Sequence, residues 1–289
     1  MPTPSSDFLL GVFVEGAPSN ISLITSLESK IDKKFSVINY FQTTSQGFTR
    51  TAATNAANHG SVPLITLEFW DPSRGVNQPA FSLKQISGGA HDNYLRTYAR
   101  DAKAFGKTVW LRPLHEMNGN WYPWGGTVNG NNPSDFTSAW RHIVNIFREE
   151  GATNVKFMWC PNAESVPNTS ANSISAYWPG DDYVDYLSID GYNAGVSSTS
   201  AWRSFSSVFS ASYAAVTKLS AKPVYIAEIS CSPDGGNKAT WISDMFRVLP
   251  TQFPRIKGVV WFNKNSSRDW RIESSSESLA AFKAAVSAL

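Results

Sequence analysis

Residues 110–126 read WLRPLHEMNGNWYPWGG and gather an Arg, a His, a Glu, two Asn and four aromatic rings into one short run. Glu116 lies at the end of the apolar stretch 108–116, whose side chains cannot solvate a carboxylate. Glu228 closes a second such stretch, 223–230. A carboxyl in that setting is hydrogen-bonded, paired or functional. Two carboxyls facing one another are what glycoside hydrolysis requires: one protonates the leaving oxygen, and the other attacks the anomeric carbon or activates water. The plainer reading is that each Glu satisfies a neighbouring Arg such as Arg112. Glu68 and Asp190 end two further apolar stretches and compete for a binding or supporting role, and spacing alone does not rank the four acids. Trp121, Tyr122 and Trp124 follow Glu116 directly. Amphipathic rings suit partners that carry both apolar faces and hydroxyls, as sugars do. Trp70 is a further candidate for such a wall, open between core and substrate contact, whereas Trp159 reads as core.

The elements that would position these residues recur along the whole chain. Eight short apolar, β-branched or aromatic runs occupy 8–14, 35–41, 62–70, 108–116, 155–160, 183–192, 223–230 and 257–263. Most are continuously apolar rather than alternating, as expected of strands buried on both faces of a parallel sheet. Between them lie stretches of helical periodicity at 19–31, 91–106, 132–151, 202–219, 238–250 and 275–288, with Ser19 or Asn20 capping the first and Gly106 and Gly151 closing the next two. Eight alternations without a break in composition predict an α/β fold, a single (β/α)8 TIM barrel over 8–289. No glycine-rich phosphate loop supports an open doubly wound sheet instead. In the barrel, strands four and seven end opposite one another across the mouth. The long segments 71–90, 117–133 and 161–182 become βα loops on the face that carries active sites.

Composition bounds the function classes. A net charge of +2 is too small and dispersed for a nucleic-acid surface, and no run of 18 apolar residues predicts a membrane span. Cys160 and Cys231 match no zinc spacing and read as free thiols. No His/Cys/Asp grouping has metal-ligand spacing, so neither a metal nor another cofactor is expected. His59 and His91 read as surface or capping groups, and His142 as part of a solvated helix face. Residues 1–7, rich in Pro, Ser and Thr, read as the remnant of a linker, which makes the chain a monomeric module of something longer.

The stretch LRPLHEMNGNWYPWG, with DYLSIDGYN and PVYIAEIS downstream, resembles glycoside hydrolase family 26 over essentially the whole chain. That resemblance implies a secreted, retaining endo-glycanase with Glu116 as acid/base and Glu228 as nucleophile, the carboxyls roughly 5–5.5 Å apart. It further implies that His115 hydrogen-bonds within the site, that Tyr192 contacts the nucleophile, and that Trp261 stacks on the reacting sugar. Arg112, on the same strand face as Glu116 if pleating is regular, would keep Glu228 or another carboxylate ionised. The family's substrates include β-mannan, mixed-linkage β-1,3-1,4-glucan and xylan. Its mannan-cleaving members are associated with WFWWG after the acid. The run Trp121-Tyr122-Pro123-Trp124-Gly125 departs from that and favours the mixed-linkage glucan branch, a lichenase, with an endo-β-1,4-mannanase as the alternative. A non-catalytic carbohydrate-binding barrel would tolerate loss of either Glu, and both are present.

Overall fold

The computed structural model describes residues 7–197, 199–287 and 289, so residues 1–6 of the expected linker lie outside the described residues. Eight parallel strands close on one another in chain order: β1 Leu9–Val14, β2 Val37–Thr43, β3 Val62–Glu68, β4 Val109–Pro113, β5 Val155–Trp159, β6 Tyr186–Asn193, β7 Val224–Cys231 and β8 Ile256–Asn263. Side chains alternate across each strand. Val37, Leu64, Trp110, Met158, Tyr225 and Val260 point into the barrel and pack on one another. Their neighbours Ile38, Ile65, Leu111, Trp159, Ile226 and Trp261 point out, into the larger core beneath the helices. Both faces are therefore buried, which is why the strand sequences are mostly apolar rather than alternating, apart from polar residues such as Asn39, Thr66, Arg112 and Asp190. Gly11 sits at a close approach inside the barrel, since a Cβ there would lie 2.8 Å from Val260 Cγ2 and 3.0 Å from Val37 Cβ.

The helices are α1 Ser22–Ile31, α2 Arg50–His59, α3 Leu83–Ser87, α4 Asp92–Phe105, α5 Pro133–Glu149, α6 Phe205–Leu219, α7 Lys238–Gln252 and α8 Ser276–Val286. Strict alternation fails in two places. The β3–β4 connection carries both α3 and α4, and the β5–β6 connection is made by short 3-10 turns between Ser170 and Tyr183. Helix α2 escaped the sequence reading because it buries only Ala52, Ala53 and Ala56, which give little periodic contrast. Pro133 opens α5 beneath a capping box in which Asn132 and Asp135 bond each other's backbone N–H. No helix among the described residues is long and apolar enough to cross a membrane.

Two strand ends differ from expectation where it matters. Strand β4 stops at Pro113, because Leu114 and Glu116 adopt left-handed φ values of 52° and 54°. In β7 the register with β6 jumps from Ile189↔Ile226 to Asp190↔Glu228, skipping Ala227. This irregularity puts Glu228 on the inner face directly after the inward-pointing Ala227.

Candidate active site

Arg112 organises the floor of the barrel mouth. It is fully buried on β4, and every one of its N–H groups has a partner. Nε and Nη2 donate to Thr66 Oγ1 at 3.0 and 2.7 Å, and Nη1 donates to Asp190 Oδ2 at 2.5 Å and to Cys160 Sγ at 3.6 Å. Nη2 also donates to Glu228 Oε1. Thr66 passes the network on to Asn39 Oδ1 at 2.9 Å. The second oxygen of Glu228 accepts from the hydroxyl of Tyr192. Burial, and then the charge of Glu228, hold the Tyr192 phenol well above its usual pKa, so it keeps the proton it donates. Arg112 thus bridges Asp190 and Glu228 and does not pair with Glu116.

Glu116 is set by a turn rather than by strand pleating. Its backbone N–H donates to Cys160 O at 2.7 Å, and its carbonyl accepts from Gly119 at 2.9 Å. The left-handed conformation of a non-glycine residue costs of order 1–3 kcal/mol and persists where the surroundings hold it. Glu116 is 7% exposed, and its carboxyl receives Trp121 Nε1 on Oε2 and Asn162 Nδ2 on Oε1, each at 2.7 Å. Asn162 is locked by reciprocal bonds with Asn118, at 2.8 and 2.9 Å. Gly119 makes room for the arrangement, since a Cβ there would lie 2.4 Å from Trp121 Cζ2. Burial first and the Glu228 charge second push Glu116 up to about 7, against the two hydrogen bonds, which pull it down. The two acids therefore stand in unlike surroundings. Glu228 is held by a cation and a phenol, and Glu116 by two neutral N–H donors.

Both acids open onto one cleft of about 870 Å³, walled by Trp121, Tyr122, Tyr192, Phe13, Phe41, Phe262 and Trp270. Two expected sugar contacts are corrected. Trp261 is 0% exposed and faces out of the barrel against Trp241 and Phe282, because on β8 the inward position belongs to the next residue, Phe262. Trp124 is equally buried. It stacks behind Tyr122 at 4.5 Å and donates its N–H to the His115 carbonyl at 2.7 Å. Trp70 backs the same pair edge-on, and its Nε1 donates to Glu68 at 3.1 Å. His115 is buried, with Nε2 3.2 Å from the Tyr122 hydroxyl. Burial and the Arg112 cation hold its pKa well below the usual value, so the imidazole is neutral. Glu68, also buried, is pushed up to about 7 by desolvation. The sequence reading missed Phe41, Phe262, Trp270 and Asn162. A period-two count along β8 would have found Phe262.

Away from the cleft, His59 is not a surface group but joins Glu28 at 3.0 Å and Ser61 at 2.8 Å. His142 meets Asp92 at 2.6 Å. Cys160 and Cys231 are free and buried. Among the described residues, one set of potential metal-ligating atoms does come together, on His115, Asp190 and Glu228, within 4.8 Å of one another, which sequence spacing did not reveal. Arg112 already donates to an oxygen of each acid, so a divalent cation there would compete with the guanidinium.

A closed (β/α)8 barrel with two acids in unlike surroundings, opening onto an aromatic-walled cleft at the strand ends, defines the class: a barrel glycoside hydrolase. Residues 95–231 match the family model described as glycosyl hydrolase family 26. The chain is 40% identical over 290 residues to Endoglucanase H of Acetivibrio thermocellus, a match that covers 98% of this chain and 31% of that protein. It therefore spans about a third of that relative's length. Identity to mannan endo-1,4-beta-mannosidase A and B of Caldalkalibacillus mannanilyticus is 37% over 94 residues, 30% of this chain and 17% of that one. In fold it is similar to the catalytic domain of a family 26 endo-beta-1,4-mannanase from Bacillus sp. JAMB-750. That likeness has a TM-score of 0.73 at 17% identity, over 97% of this chain and 85% of the other. The chain belongs to glycoside hydrolase family 26.

Proposed function

We propose that the chain is a retaining endo-β-glycanase that cleaves internal β-1,4 linkages of mixed-linkage β-1,3-1,4-glucan, with Glu228 as nucleophile and Glu116 as acid/base. The observation that carries this reading is the contrast between the two acids: Glu228 is bound by Arg112 and Tyr192, and Glu116, which has only neutral donors, is raised to about 7 by burial and by Glu228. In the first step a Glu228 oxygen bonds to the anomeric carbon as the glycosidic C–O bond breaks, and the Glu116 proton passes to the departing oxygen. In the second, Glu116 takes a proton from water, the water oxygen bonds to the same carbon, and the ester to Glu228 breaks. Trp121 ties the acid to the wall, since its N–H holds Glu116 while its ring lines the cleft.

Glucan is preferred over mannan on two grounds. The match to Endoglucanase H runs through the whole chain, whereas the match to mannosidase A and B covers 30% of it. Pro123 also stands where the mannan-associated WFWWG pattern has an aromatic ring, and its carbonyl is tied down by Asn131 at 2.7 Å. The same reading makes the chain a monomeric, secreted module of a larger enzyme with a polysaccharide as its only partner. The test is reducing-sugar release from barley β-glucan, lichenan, galactomannan, xylan and carboxymethyl-cellulose by wild type, Glu116→Ala and Glu228→Ala. The expected result is activity on the mixed-linkage glucans alone, reduced about 10²–10⁴-fold or more in each variant. Release from galactomannan instead would overturn the substrate, and full activity in either variant would overturn that residue's role.

A further inference from the structure

Lys238 opens α7 yet is only 3% exposed. A cation in the first turn of a helix opposes the macrodipole, so helix formation does not account for it. Its Nζ donates to the carbonyls of Asp269 at 3.1 Å and Arg271 at 2.7 Å, and lies 5.8 Å from the centre of the Trp261 ring. The Asp269 carboxylate is taken by Arg271, at 2.7 Å. The carbonyl between those two, that of Trp270, accepts from Trp261 Nε1 at 2.8 Å and from Ser230 Oγ at 2.6 Å. Three successive carbonyls of the β8–α8 loop are therefore gripped by α7, β8 and β7. The middle residue turns its indole into the cleft, 5.2 Å from the ring of Tyr192, which donates to Glu228.

We infer that Lys238 is a positioning residue for substrate binding: through the main chain of 269–271 it sets the Trp270 ring as a wall against the glycan. The inference rests on the reading of the cleft as a glycan site. It also gives Trp261 a part, as a holder of the platform rather than the platform. The hydrogen bonds of this buried ammonium both end on one loop, so removing it frees the loop, because the carbonyls on either side of Trp270 are left without that donor.

The experiment compares wild type, Lys238→Met, Ser230→Ala, Trp270→Ala and the Lys238→Met/Trp270→Ala double variant. The readouts are hydrogen exchange of the 264–275 peptide, and KM and kcat on barley β-glucan. In Lys238→Met the loop peptide is expected to exchange about ten-fold faster while β4 peptides are unchanged. KM should rise about three- to ten-fold, and more than kcat falls, the size of one lost aromatic contact. Trp270→Ala should show the same loss in KM, with no further loss in the double variant. Unchanged loop exchange and KM in Lys238→Met, or effects that multiply in the double variant, would overturn the inference. Should Lys238→Met not fold, Lys238→Gln keeps a neutral donor group too short to span both carbonyls, and unchanged loop exchange and KM there would overturn the inference equally. Ser230→Ala, which frees the Trp270 carbonyl from β7, is the comparison that loosens the loop with Lys238 intact. If the wild type cleaves no glucan, the fault lies with the functional reading, and the exchange data still decide whether Lys238 holds the loop.

Discussion

Replacing Glu116 with Gln should change stability with opposite sign at low and high pH. In the unfolded chain the carboxyl ionises near its ordinary value of 4.5, and in the fold near 7, because burial and Glu228 disfavour its charge. Between those values the folded protein binds the extra proton, so its stability is full below 4.5 and declines as pH rises through about 7. A gap of about 2.5 pH units corresponds to about 3 kcal/mol. Gln is neutral throughout and escapes that penalty. It has one acceptor oxygen, however, for the two donors that Trp121 and Asn162 aim at the site, and one unmet bond costs ~1–2 kcal/mol. The variant should therefore be about 1–2 kcal/mol less stable than wild type at pH 4 and about 1–2 kcal/mol more stable at pH 8. Urea unfolding followed by Trp fluorescence at the two pH values measures both. Glu68, which is also raised, is present in both proteins and cancels in the comparison. A difference that stays constant within about 0.5 kcal/mol from pH 4 to pH 8 would refute the account of a neutral, buried acid.

Three other outcomes follow from the same geometry. Arg112→Met leaves Asp190 and Glu228 buried without their cation and should cost about 3–5 kcal/mol in urea unfolding at pH 7; a cost under ~1 kcal/mol would show that the pair is not held by Arg112. Gly119→Ala drives a methyl into the Trp121 indole and takes its N–H from Glu116. The acid's pKa should rise further, moving the alkaline limb of kcat/KM upward from about 7 and lowering the rate about ten-fold, the worth of one charge-assisted bond; an unmoved limb would deny the link between Trp121 and the acid. Trp261→Ala should destabilise the fold by about 3–5 kcal/mol in the same unfolding assay, as the loss of a core ring does, and normal stability would mean that the ring is not core after all.

Much of this architecture is legible in the chain because it rests on local physics. Eight runs that are mostly apolar rather than alternating read as strands covered on both sides, and a barrel is the arrangement that covers them all. Glu116 and Glu228 stood out because an acid at the end of an apolar run demands an explanation. What the chain could not disclose is orientation. Facing along a strand has a period of two, so one irregular residue reverses it. The skipped Ala227 turns Glu228 inward, and the left-handed turn at Leu114 and Glu116 ends the pleating that was to align Arg112 with the acid. The same parity sends Trp261 into the core and gives the cleft to Phe262. The remaining parts come from far along the chain: Asn162 reaches Glu116 from the β5–β6 connection, and Trp270 reaches the cleft from the loop after β8. Composition and periodicity determined that a barrel would form and that acids would crowd its mouth. Closure of the sheet, a bulge and a strained turn decided which of those acids face one another, and which rings stand beside them, because these depend on contacts between residues that no local pattern connects.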